Sequence, residues 1–507
     1  MLQGVVQRVL GCKDYTDTAT LDQLGATSLD ISRISLQLRA HLAKWPRAGA
    51  LASTLSRLLV NRTLRDIAVT MQAAMDPDHV TEQTVLDDEV SVFDVVASDV
   101  EKATKSITAP NPHPPGRRSN TQGVLLTGAN GFVGSHTLAS LVEREEFDVV
   151  FVLVRAADDD AAAVRLQDAL AAHRLSKLKD AVGGRIVALA GDVGLPSLGV
   201  SATWWTRLVA DCVAVCHIAA NTSFIKPYAA LRTANLQGTV EMLRLCSASS
   251  PPKSLIHVST ISVLGPHLDA DTVDDKVTLP TLQQMRESGD DNGYVLSKWA
   301  AEAVVEDTVK VLGVPTVIMR LGLVTWHSET GDANDSDWLT RVVDAVLFTG
   351  TLPHVPPPRD AVNCCPVDFA AAAIGTVVAM HRDRELFDGC RVLHVVNPHE
   401  TAATDLEGAA RLSLADMVRW AQSLGVVEDV KVMEYTPWCN IAGKHHRLLP
   451  VVDYLRNGFP SGPRLTCPLL LEVVSRGACR PCPRLDATIL RPYLANRRPH
   501  PTAPNTK

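Results

Sequence analysis

Val124-Leu125-Leu126-Thr127-Gly128-Ala129-Asn130-Gly131-Phe132-Val133-Gly134 decides the fold. Four apolar or β-branched residues run straight into three glycines spaced G-x-x-G-x-x-G. The first glycine permits a tight turn off a strand. The second lets backbone approach a pyrophosphate. The third lets the following helix pack closely on the sheet. That helix, expected from His136 to Arg144, points its partial positive end at the phosphates. Gly128, Asn130, Gly131, Phe132, Val133 and Gly134 are therefore the candidate dinucleotide-binding residues.

Working outward, short apolar runs alternate with helical patterns: Val124–Thr127, Val149–Val154, Arg185–Ala190, Val213–Ile218, Ser254–Val258, Thr316–Leu321 and Val392–Val396. Nearly uniform apolarity over four to seven residues marks parallel strands buried on both faces. The alternation predicts βαβ units and an α/β fold with a Rossmann-like doubly wound parallel sheet.

The second strand ends Leu153-Val154-Arg155-Ala156. An acidic residue there would bind ribose hydroxyls of NAD. A guanidinium suits the 2′-phosphate of NADP. Arg155, with Arg165 on the next helical segment, points to NADPH. The fourth strand ends in small residues, Ala219 and Ala220, which let backbone lie against the cofactor. Asn235 sits inside a helix, where its propensity is poor. It is equally a cofactor-side amide or an internally satisfied one.

Tyr294-Val295-Leu296-Ser297-Lys298 supplies a Y-x-x-x-K pair, one helical turn apart on one face. Lys298 would lower the phenol pKa and hold the nicotinamide ribose. Tyr294 would give or take a proton at a carbonyl oxygen. Upstream, Ser254–Val263 places Thr260 at the C-terminal edge of the sheet, flanked by Ser259 and Ser262. Thr260 is the candidate hydroxyl for orienting the substrate oxygen.

Composition excludes other classes. The 507 residues are 46% hydrophobic, carry 21% charge and sum to −7, with a pI near 6.1. Nothing favours a nucleic-acid partner. The longest apolar run, Phe369 to Met380, is too short for a membrane span of about 20 residues. The N-terminus has no signal-peptide pattern. Eleven cysteines, an odd number, fit free thiols in a reducing, cytoplasmic setting. Cys364-Cys365 reads as a buried pair. Cys479-Arg480-Pro481-Cys482 lacks the second ligand pair that zinc needs, so no metal is expected.

Ahead of the sheet, residues 1–75 read as amphipathic helices, with stripes at Val5-Val6 and Val9-Leu10, at Ile31, Ile34, Leu38 and Leu42, and at Leu55, Leu58 and Leu59. Residues 76–90 are acidic and polar. Residues 91–107 fit one more helix. Four prolines within 110–115 then form a loop.

Together these residues resemble the extended short-chain dehydrogenase/reductase superfamily. More narrowly, Leu153–Ala156, Gly191-Asp192-Val193, His217–Phe224, Gly293–Glu302 and Pro366–Phe369 are similar to thioester reductase domains. Those domains end nonribosomal peptide synthetases, aminoadipate reductases and carboxylic acid reductases. The resemblance spans about Gly123 to Asn397, and adds Asp192 to the cofactor-binding set. Leu24-Gly25-Ala26-Thr27-Ser28-Leu29 resembles the L-G-x-x-S-L signature of acyl and peptidyl carrier domains. It implies a 4′-phosphopantetheine arm on Ser28. One stretch departs from the family: Thr325-Trp326-His327-Ser328 intervenes where a glycine and small polar residues usually follow.

The resemblance implies a carrier domain (1–78), a linker (79–118) and an NADPH-dependent thioester reductase (119–507), with a smaller C-terminal substrate-binding portion after Thr325. It implies reductive release of an acyl or peptidyl thioester as an aldehyde, or further to the alcohol. Expected partners are a phosphopantetheinyl transferase and an upstream adenylating or acyl-loading enzyme. The rivals are an epimerase or dehydrogenase of the same superfamily acting on a free small molecule, and a redox-silent releasing or docking domain.

Overall fold

The computed structural model describes residues 2–11, most of 15–42, 62–75, 91–108, 116–269, 272–356, 361–401, 412–442 and most of 463–497, with isolated positions at 55–59 and 448–459. Of the expected linker, residues 79–90 and 109–115 lie outside the described residues.

Seven strands form one parallel sheet: β1 (Gly123–Thr127), β2 (Val149–Val154), β3 (Ile186–Ala190), β4 (Cys212–His217), β5 (Ser254–Thr260), β6 (Thr316–Leu321) and β7 (Cys390–Val395), in the order β7-β6-β5-β4-β1-β2-β3. All seven expected strands are present, shifted by at most two residues at an end. Helices cover both faces, so Val124, Leu125 and Leu126 are fully buried. Each such side chain contributes roughly 1.5–3 kcal/mol on burial, enough to offset the ~1–2 kcal/mol for fixing its backbone. A run this short holds only because both faces are covered. The chain winds one way from β1 through β3 and the other way from β4 through β7. The reversal, between β1 and β4, opens the crevice where ligands of such sheets bind.

The helix after β1 starts earlier than expected, at Phe132 rather than His136, and ends at Val142. Gly131 is its N-cap, in extended conformation directly off the turn, with no side-chain cap. The amides of the first turn are thereby left free.

Helix Val92–Thr108 falls inside the stretch assigned as linker, yet packs on helix Gly293–Leu312. Phe93, Val96 and Ile107 enter the core of the sheet domain. Asp99 accepts hydrogen bonds from Tyr228 (3.1 Å) and Arg232 (2.9 Å), and Asp94 pairs with Arg286. The α/β body therefore begins near residue 91 rather than 119.

The N-terminal helices Leu2–Leu10, Ser28–Leu42 and Leu64–Met75 gather around Val6, Leu21, Ile34, Leu38 and Ile67. Ile31, Ile34, Leu38 and Leu42 are all buried, as their spacing predicts. Ile225, from the loop after β4, packs against this cluster.

After Thr325 the chain builds a second core around Trp326, Trp338, Leu412, Trp438 and Tyr493. This explains the departure at Trp326-His327-Ser328. Trp326 is buried and stacks on Tyr493 at 4.8 Å, while Ser328 is held by Asp368 through backbone and side chain. Cys364 and Cys365 are buried in a short strand, Cys364–Pro366, parallel to Leu323–Thr325. Among the described residues no helix is long and apolar enough to cross a membrane.

Candidate active site

The crevice is a cleft of about 1520 Å³ running from the glycine turn to the second core. Gly128 adopts φ +78°, open to glycine, and a Cβ there would sit 2.8 Å from the amide nitrogen of Ala219. A Cβ on Gly134 would meet the carbonyl oxygen of Gly128 at 2.0 Å. So Gly128 and Gly134 are required by turn and packing. Gly131 has nothing closer than 3.4 Å and leaves the turn open to the cleft. These residues line the cleft together with Asn130, Phe132, Val133, Asp192, Ala219 and Ala220. Free helix amides, a turn opened at Gly131 and a cation at the end of β2 fit a dinucleotide.

Arg155 is exposed and lines the cleft. Arg165 is not a lining residue. It donates to the carbonyl oxygen of Arg155 at 2.6 Å and so holds that backbone in place.

Helix Gly293–Leu312 carries Tyr294 and Lys298 into the cleft. Asn292 caps it, accepting from the amides of Tyr294 (3.0 Å) and Val295 (3.2 Å). Gly293 lies against the 226–228 backbone, where a Cβ would be 2.4 Å from the carbonyl oxygen of Lys226. The Asn-Gly pair just before an apolar helix is a start signal that sequence reading had available. Phe224 meets the Tyr294 ring edge-on at 5.4 Å, a contact no spacing rule reveals.

Thr260 ends β5, its hydroxyl donating to Ser262 at 3.2 Å and close enough to the Tyr294 phenol to act on it. Tyr294 is half-buried as a residue. Burial around its hydroxyl pushes the phenol up to about 12, and the Thr260 hydroxyl acts in the lowering direction. In this geometry burial is the largest influence on the phenol. Lys298 is itself pushed down to about 8 by burial, against the raising influence of Glu302. Its ammonium donates to the carbonyl oxygen of Val258 at 2.8 Å.

Asn235 does not line the cleft. It is a satisfied amide in the π-helical turn Thr233–Gln237. It accepts from the Asn221 amide (2.7 Å) and donates to the Asn221 carbonyl (3.0 Å) and the Ser297 hydroxyl (2.8 Å). Ser297 in turn donates to the Tyr294 carbonyl at 2.9 Å. Asn235 thus ties the 218–224 loop to the helix bearing Tyr294.

Sequence reading missed the clasp at the far wall. Asp332 accepts from His136 (3.0 Å) and His173 (3.1 Å), joining the loop after Trp326 to two helices of the sheet domain. Burial raises the Asp332 carboxyl, but the two histidine bonds outweigh it and hold it at about 2. The three residues lie far apart in sequence, so only the fold brings them together. Ser28 is the first residue of helix Ser28–Leu42. Its side chain, and Gly25 and Thr27 beside it, lie outside the described residues. Among the described residues no group of three or more His, Cys, Asp or Glu side chains is arranged to hold a metal ion.

Comparison with known proteins follows this geometry. An NAD-binding family described as "Male sterility protein" matches residues 126–374. The nonribosomal peptide synthetase asaC of Aspergillus flavus is 27% identical over 445 residues, covering 87% of this chain and 40% of that protein. The L-2-aminoadipate reductase large subunit of Penicillium chrysogenum is 30% identical over 373 residues, 67% of this chain and 24% of that one. The chain thus spans well under half the length of these curated relatives. Among solved structures, the terminal reductase domain of the myxalamid pathway is 27% identical with TM-score 0.65, over 79% of this chain and 97% of that one. A thiolation-reductase di-domain from an archaeal nonribosomal peptide synthetase shares the fold over 97% of this chain and 95% of its own, with TM-score 0.66 at 17% identity. In sequence and in its Rossmann-like parallel-sheet fold, the α/β part of the chain is thus similar to the nicotinamide-dinucleotide-binding reductase domains of nonribosomal peptide synthetases.

Proposed function

We propose that this chain reductively releases an acyl or peptidyl thioester carried on a 4′-phosphopantetheine arm at Ser28, using NADPH. The observation that carries this reading is the convergence of Tyr294 and Lys298 in one cleft with the free-amide glycine turn and Arg155, Thr260 lying buried at the end of β5 between the lining residues Ser259 and Ile261. NADPH supplies the hydride for the thioester carbonyl carbon. The chain's own residues do the rest. The glycine turn and the first amides of helix Phe132–Val142 hold the pyrophosphate. Arg155, braced by Arg165, holds the 2′-phosphate. Lys298 presents its ammonium to the ribose. Tyr294, which stays protonated up to about pH 12, donates a hydrogen bond and then its proton to the carbonyl oxygen, while Thr260 orients it. The resulting hemithioacetal loses the pantetheine thiol and leaves the aldehyde. The balance is one thioester, one NADPH and one proton giving one aldehyde, one thiol and one NADP⁺. Loading of the arm falls to a phosphopantetheinyl transferase, and loading of the acyl group to an upstream adenylating or acyl-loading activity.

Two measurements bear on this. Incubation with coenzyme A and a broad-specificity phosphopantetheinyl transferase is expected to add one phosphopantetheine to the intact mass, and Ser28→Ala to abolish the gain. No gain in the unsubstituted protein contradicts the carrier assignment. Arg155→Ala is expected to weaken NADPH about 10–100-fold, the worth of a charge-assisted contact, and NADH hardly at all. Equal losses for the two cofactors would show that Arg155 does not read the phosphate.

A further inference from the structure

Beneath Lys298 lie two buried imidazoles that the proposed chemistry does not use. His257, on β5, is 0% exposed, and its Nε2 stands 3.4 Å from the Lys298 ammonium nitrogen. His217, on β4, is 1% exposed, and its ring lies 5.7 Å from that of His257. The His217 Nδ1 meets the Thr127 hydroxyl at 2.8 Å, and that hydroxyl also accepts the Ala219 amide at 3.1 Å. The row therefore runs from the turn at the end of β1 to the lysine on the helix. On their other sides, His257 Nδ1 and His217 Nε2 are buried without a partner. Orphaned polar atoms at such depth are costly, and a core of apolar residues would avoid them.

We infer that His257 is a positioning residue for Lys298: its neutral imidazole, backed by His217, accepts one ammonium hydrogen through Nε2 and fixes the lysine against β5, leaving a further hydrogen for the cleft. The donor inventory fits. An ammonium has three hydrogens. The Val258 carbonyl takes one, His257 takes the second, and the third is available to a cofactor ribose. Both imidazoles stay neutral. Burial, the Lys298 charge and His217 hold His257 well below its usual range, and burial with Lys298 holds His217 at about 3. A neutral acceptor differs in effect from a carboxylate. Among the described residues, the titratable groups beside Lys298 on its own helix are Tyr294 one turn before it, neutral, and Glu302 one turn after, which raises the lysine. Glu302 is engaged by Arg320 of β6 at 2.8 Å and 3.0 Å. From β5 and β4 only His257 and His217 face it. The imidazole therefore orients the ammonium without locking its proton on.

This inference rests on the reading of Lys298 as the ribose-holding residue, and its test needs no turnover. The readout is NADPH affinity of the full chain between pH 6 and 10. A lysine lowered to about 8 is charged below that pH and neutral above it, so affinity is expected to fall as pH rises through about 8. His257→Leu removes the acceptor, disfavours the ammonium and should move this limb toward acid by about one pH unit, a tenfold change in proton affinity. His257→Asn, which places no acceptor at the Nε2 position, should behave like His257→Leu. His257→Gln, which does, should restore the unsubstituted curve. Should His257→Leu fail to fold, the Asn and Gln variants, of similar size and polarity, still separate the outcomes. Superimposable curves for all four proteins, or equal shifts in all three variants, would overturn the inference. A chain that shows the predicted limbs yet never reduces a loaded thioester would sink the proposed function and leave the role of His257 standing.

Discussion

Tyr294→Phe is expected to lower thioester reduction by about 10²–10⁴-fold, the usual worth of a positioned proton donor, while NADPH affinity stays within about twofold. The substitution deletes one hydroxyl. The phenylalanine ring keeps its edge-on contact with Phe224, and the Asn292 cap uses only backbone amides. Thr260 retains its bond to Ser262. The helix and the cofactor wall are thus left intact, and the loss falls on chemistry. Comparing turnover with fluorescence-detected NADPH binding in the same preparation separates the two effects. Normal turnover in this variant would remove Tyr294 from the mechanism.

The second large effect concerns stability. Glu302 and Arg320 are both 0% exposed and joined by three hydrogen bonds, with Arg320 also donating to the Val277 carbonyl at 3.2 Å. Glu302→Ala strands a buried guanidinium. Breaking such a pair costs about 3–5 kcal/mol, far more than the pair contributes over an apolar replacement. The melting temperature should drop by roughly 5–10 °C. The double variant Glu302→Leu with Arg320→Met should recover most of that loss, because no charge is then left unpaired. A single variant that melts within about 1 °C of the unsubstituted protein would contradict the account. The effect reaches the cleft too: Glu302 is one turn beyond Lys298 on the same helix and supports its charge.

What could be read from residues alone follows from how local each cause is. The sheet strands are legible because two-sided burial demands uninterrupted apolar runs, and Val149–Val154 or Thr316–Leu321 cannot satisfy any other environment as well. The glycine turn is legible because Gly128 and Gly134 are required by contacts within the motif and with the adjacent strand end. Tyr294 and Lys298 are legible from helical spacing. Asn235 is not, because its meaning lies in Asn221 and Ser297, 14 and 62 residues away. The same holds for the Asp332 clasp and for helix Val92–Thr108, whose apolar stripe says that it docks but not where. The helix start at Phe132 is missed for a different reason: a glycine cap carries no side-chain signal, so the turn and the helix overlap in the sequence pattern.

The central claim is that the reductase cleft acts on a thioester carried by the same chain. The most direct measurement is a single-turnover assay on protein whose Ser28 has been loaded with an acyl-phosphopantetheine, following NADPH oxidation and released aldehyde together. The account predicts one NADPH consumed per aldehyde formed, a second only where alcohol appears, and neither in Ser28→Ala carried through the same loading. Loaded protein that binds NADPH, keeps its acyl group and releases no aldehyde would contradict it.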